Sequence, residues 1–262
     1  MPLRRLFLDD LTIDDASDFR GVALYARLAE ELRRARHVFQ VPGEGEAASW
    51  DRALFLNLTY WSPTEEASVL TEPRVAADVV AHTALHHVVG RELARAHEGA
   101  ATTPLGLLFA ESIASAFDLY LVGRLVELAP DSDFIATQVP IMAEAAEQAG
   151  VDEAGFARLI DGVRAAPERA FEDLRALLVD AGTALAACAD AAAAQVVLEG
   201  LAGARFAPLL HHYQLSNWIL YSRAYARPDP AAEAAVRTID VKLRASPDSL
   251  AWIEKSWLGD DS

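Results

Sequence analysis

The run PLGLLFAESIASAFDLYLVGRLVEL, residues 104–128, constrains this chain more than any other stretch. Thr103 ahead of Pro104 gives an N-cap and a first-turn proline, so a long helix is predicted to begin there. Leu105, Leu107, Leu108, Phe109, Ile113, Phe117, Leu119, Leu121, Val122 and Leu125 leave it apolar around nearly its whole circumference. A helix of that kind belongs in the centre of a fold, with amphipathic partners around it. Its few polar residues are therefore informative. Glu111, Ser115 and Asp118 fall at i, i+4 and i+7 and form one stripe on an otherwise greasy rod. A carboxylate buried without a partner costs several kcal/mol or shifts its pKa strongly, so Glu111 requires a partner.

The preceding stretch, Thr71–Gly99, offers one. It reads as a single amphipathic helix, with Thr71 as N-cap, Glu72 and Pro73 in the first turn and Gly99 at the stop. Val75, Val79, His82, His86, Val89 and Leu93 recur at three- and four-residue steps, which puts two histidines one turn apart in the middle of a stripe expected to be buried. Two His at i and i+4 with a carboxylate from the next helix make the ligand set of a zinc with an open fourth position. Neutral core histidines hydrogen-bonded to Glu111, Asp118 or backbone carbonyls would satisfy the same pattern without an ion. His87 points off the stripe and reads as a flank residue.

The rest of the chain reads as helices with short breaks. A first helix is expected out to about Arg36, capped by Asp14, Asp15 or Ser17, with Phe19, Val22, Leu24, Leu28 and Leu32 on its apolar side. Residues 41–47 (VPGEGEA) are a loop. ALFLNLTYW, residues 53–61, alternates and is rich in aromatics, the best strand in the chain, and PTEEASVL after it suggests a short acidic helical turn. Beyond Pro130, helices are predicted at about 133–149, 152–164, 167–187, 190–203, 206–226, 230–244 and 247–257, punctuated by Gly150, Pro167, Pro208, Pro228, Pro230 and Pro247. The expected fold is mainly α: about ten helices, at most one short strand or hairpin near residues 53–61, and a zincin-like core as an option. It is read as one domain over 1–262, with a subdivision into 1–129 and 130–262 as the alternative.

Composition narrows the function classes. The chain has 39 acidic and 23 basic residues, a formal charge of −16, which disfavours nucleic acid and anionic membranes as partners. The one cysteine, Cys188, permits no intramolecular disulfide and reads as a small core residue. The N-terminal apolar run is too short for a signal segment, and no stretch reads as a membrane span, so a cytoplasmic protein is expected. No phosphate-binding glycine loop, G-x-S-x-G elbow or fixed-period repeat is present.

His82-Thr83-Ala84-Leu85-His86 resembles the HExxH helix of zinc metallopeptidases. Glu111, with 24 residues between it and His86, sits where the gluzincin branch of the zincins takes its third ligand from a following helix. The layout is similar as well: an extended edge segment (ALFLNLTYW), the metal helix, then FAESIASAFD as the glutamate helix. The resemblance covers roughly residues 50–125 and implies zinc ligands at His82, His86 and Glu111. Thr83 stands where the family has its general-base Glu, and a hydroxyl does not take a proton from water as a carboxylate does. The resemblance therefore implies a degenerate or atypical metallopeptidase homologue, its metal-dependent hydrolysis in question. Asp118 is placed to orient a ligating His from behind. In zincins a Tyr or His from a later segment can steady the oxyanion, which makes His211, His212 and Tyr213 pocket candidates.

Two other readings share these residues. One is an iron- or manganese-binding helical bundle with Glu92, Asp118, His87 or His211 added to the set, although the Glu-x-x-His spacing of di-iron bundles is absent. The other is a metal-free acidic helical domain recruiting a basic protein or peptide partner.

Overall fold

The computed structural model describes residues 3–43, 61–62, 67–213 and 215–259. They are mainly α-helical, with ten α-helices and six short strands. The chain divides into two compact units, Met1–Ala84 and Leu85–Ser262.

The first unit is built on a four-stranded mixed sheet. Strands β1 (Leu3–Leu6) and β3 (Val38–Pro42) run antiparallel, β3 and β5 (Ala67–Val69) parallel, and β4 (Trp61–Ser62) closes the edge antiparallel to β5. Phe39 and Val41 are fully buried while Val38 and Gln40 are only half-buried, the alternation a one-sided strand demands. Helix α1 (Ala23–Ala35) buries Leu24, Tyr25, Leu28, Ala29 and Leu32, the face the sequence spacing indicates. A tighter 3-10 turn, Asp18–Gly21, precedes it, so the helix starts later than its candidate caps suggest.

The strands number more than the one expected. The expected strand over 53–61 lies outside the described residues except for Trp61, which opens β4. In the expected acidic helical turn, Ala67–Val69 is instead strand β5. Arg74–Ala76 forms β6, parallel to β2 (Thr12–Asp14), and the Arg74 guanidinium holds the Asp14 carboxylate at both oxygens, 2.6 and 3.0 Å. The ladder takes the backbone that the apolar spacing assigns to a first helical turn, so α2 begins at Ala77 and runs to Ala96, and Thr71 is not its cap.

The second unit surrounds α3 (Pro104–Leu128), which starts as predicted. Thr103 Oγ1 accepts from Gly106 N at 3.0 Å with Pro104 in the first turn. Around it stand α4 (Asp133–Gln148), α5 (Glu153–Ala165), α6 (Pro167–Ala186), α8 (Leu215–Tyr225) and α9 (Pro230–Ala245), with α6 lying along most of its length. Gly123 permits this approach: a Cβ there would sit 2.9 Å from both Pro167 Cβ and the Val163 carbonyl oxygen. The remaining helices are α7 (Ala191–Leu201) and α10 (Ser249–Trp257). Contrary to the expectation that no stretch suits a membrane, α3 is long and apolar enough to cross one by length and composition. Its apolar window is 83% buried within the protein, which accounts for that character by packing. Pro130, the alternative boundary, lies inside this unit.

One predicted helix is shorter than its pattern. Within residues 206–226, α8 spans only Leu215–Tyr225, and Ala207–Leu209 is a 3-10 turn. The N–H groups of Leu210 and His212 bond three residues back, to Ala207 and Leu209, so His211, His212 and Tyr213 lie in a tight turn and not in the long helix expected there.

Candidate metal site

Helix α2 presents its apolar side through Ala77, Val80, Ala81, Ala84, Leu85, Val88, Val89 and Leu93, all buried. His82 and His86 are one turn apart beside this stripe, half-exposed, and not in its middle as the spacing suggests. On α3 the polar stripe is real: Glu111 and Asp118 are less buried than the residues around them, and Ser115 between them donates to Glu111 Oε1 at 3.4 Å.

His86 Nε2 and Glu111 Oε2 are 3.0 Å apart, with 28% and 26% of their side chains exposed. Ligand atoms of His82, His86 and Glu111 all lie within 4.8 Å of one another. The unit division falls between the two histidines, but α2 continues through it, so the helix itself sets their relation. Tetrahedral zinc, with bonds of about 2.0–2.1 Å, needs ligand atoms about 3.3 Å apart. The His86–Glu111 pair is already at that scale. Two imidazoles, one carboxylate and partial access to solvent make a donor set that can hold a metal ion.

Among the described residues no further His, Cys, Asp or Glu belongs to this group. His87 is half-buried on the flank, and Thr83, half-buried, follows His82 without offering a carboxylate. Glu92 is held by Arg91 and Arg95 at 2.9 and 2.8 Å. His211 is exposed.

His212 and Tyr213 lie in the turn ahead of α8, within range of the Asp118 charge. Their rings meet edge to face, centroids 4.8 Å apart. Burial pushes the Tyr213 hydroxyl well above its ordinary range, and the negative Asp118 adds to this. Burial lowers the His212 imidazole, and Asp118 partly opposes it. The sequence marks these residues as pocket candidates near the metal; His212 does not belong to the group of His82, His86 and Glu111.

No family model, no curated protein and no solved structure matches the chain.

Proposed function

We propose that this protein binds a metal ion, best read as zinc, through His82, His86 and Glu111, on a zincin-like scaffold that lacks the usual catalytic glutamate. The observation that carries the reading is the convergence of three ligand atoms within 4.8 Å on two successive helices. The element order supports it: a mixed sheet with an antiparallel edge strand, then the helix of the histidine pair, then the helix of the glutamate. Zinc bound there would act as a Lewis acid on a ligand in its open position. The chain's own contribution is to hold the three ligands and to leave that position accessible. Thr83 gives no proton acceptor beside it, so binding or an atypical, slow hydrolysis is the expected output.

A second reading rests on the 3.0 Å His86–Glu111 contact, which satisfies both side chains without an ion. The protein is then a metal-free acidic helical domain. Elemental analysis of tag-free protein separates the two. We expect near one zinc per chain, lost in the His82→Ala, His86→Ala double variant while circular dichroism stays unchanged. Metal-free protein, or metal that survives the double substitution, overturns the assignment.

A further inference from the structure

Helix α3 carries two buried serines that use their hydroxyls differently. Ser112 donates back along the helix to the Leu108 carbonyl oxygen at 2.6 Å, the local solution open to any helical serine. Ser115, 4% exposed, donates instead to Glu111 Oε1 at 3.4 Å, its one hydrogen bond among the described residues. The two carboxylate oxygens of Glu111 therefore face different groups: Oε1 meets the Ser115 hydroxyl, and Oε2 meets His86 Nε2 at 3.0 Å. A carboxylate that ligates through both oxygens adds one to the coordination number and suits ions that take six or more ligands. Zinc with three protein ligands and one open position asks for a single oxygen. A donor held on the second oxygen decides between the two modes.

We propose that Ser115 is a positioning residue of the metal site. By holding Oε1 it leaves Oε2 as the ligating oxygen of Glu111, and so selects a four-coordinate ion such as zinc over a six-coordinate one such as manganese. This rests on the metal reading of His82, His86 and Glu111, and extends it from which residues bind an ion to which ion they prefer. The bond is long for a hydroxyl donor, so Ser115 contributes direction more than stability.

The test loads the tag-free full chain, wild type and Ser115→Ala, with zinc, manganese(II) and cobalt(II). Affinities are measured by competition with a chelator, and the cobalt form by its visible absorption, which is intense at four-coordinate cobalt and weak at six-coordinate. We expect Ser115→Ala to bind zinc about tenfold more weakly, to hold manganese at least as tightly as wild type, and to lose much of the cobalt absorption. Its metal-free melting temperature should stay within about 3 °C of wild type. Ser115→Thr, which keeps a hydroxyl, restores the zinc affinity and the cobalt spectrum. An unchanged zinc-to-manganese preference in Ser115→Ala, or an unchanged cobalt spectrum, overturns the role of Ser115 and leaves the metal site standing. Equal losses for zinc and manganese, a larger fall in metal-free melting temperature, or a Ser115→Thr protein that binds like Ser115→Ala also overturn it, since the hydroxyl would then be structural. Wild-type protein that takes up none of the three ions overturns the metal reading itself, and this role with it.

Discussion

Two charged clusters in the second unit are made of similar parts and behave differently. At one, Arg175 of α6 has no exposed side-chain surface. Its guanidinium donates to both oxygens of Glu172, at 2.6 and 3.0 Å, and to Asp240 Oδ1 of α9 at 2.6 Å. Ser249 at the start of α10 donates to Glu172 Oε2 at 2.6 Å, and Arg244 donates to the other oxygen of Asp240 at 2.8 Å. The central carboxylates are committed, and three helices are tied together. At the other, His86 and Glu111 touch at 3.0 Å, remain about a quarter exposed, and have His82 within reach. A closed cluster has no capacity left for a ligand; an open one has ligand atoms to give. Burial separates architecture from chemistry here, because desolvation forces every charge in the first cluster to be matched, while water relaxes that demand in the second.

The largest effect expected is at Arg175. Arg175→Met leaves Glu172 without its cationic partner and Asp240 with Arg244 alone, and should cost about 3–5 kcal/mol in denaturant unfolding. A loss below 1 kcal/mol would mean that the closed cluster is no more structural than a surface pair.

His212 lies between the two extremes, and its effect is one of pH. Its folded-state pKa is lowered by burial below the ordinary 6.5, so the unfolded chain binds the proton more readily. Stability is then fully present above pH 6.5 and declines as pH falls from there through the lowered folded value. Unfolding free energies of wild type and His212→Asn across pH 7 to 4.5 should show the wild type losing more on acidification. Parallel profiles would remove His212 from the buried class.

The smallest effect is expected at Glu111. Glu111→Gln should change stability by no more than about 0.5 kcal/mol, because a part-exposed pair contributes little, while metal uptake falls. A cost comparable with that of Arg175→Met would make the open cluster a structural one.

Much of this was legible in one dimension. The apolar run 104–128, bounded by Thr103 and Pro104, could be little but a central helix, and most helix limits past Pro130 followed from Gly150 and the prolines, while the caps Ser132, Asp152 and Asp190 were seen only in the structure. The trio His82, His86 and Glu111 was legible because one turn of helix sets the first spacing and a polar residue in an apolar helix flags the third. The short strands were not, since β5 and β6 are three residues each and pair with β3 and β2, far along the chain. Arg175 gave no signal either: Glu172 and Arg175 at i, i+3 look like any solvated pair until α9 and α10 cover them.

Local order, then, was decided by the sequence, because periodicity and capping act over a few residues. Which polar groups meet was decided by tertiary structure. It moved His82 and His86 from the middle of the buried stripe to its open edge. It also buried His212 and Tyr213 within range of the Asp118 charge, and neither the burial nor that charge is visible in local spacing.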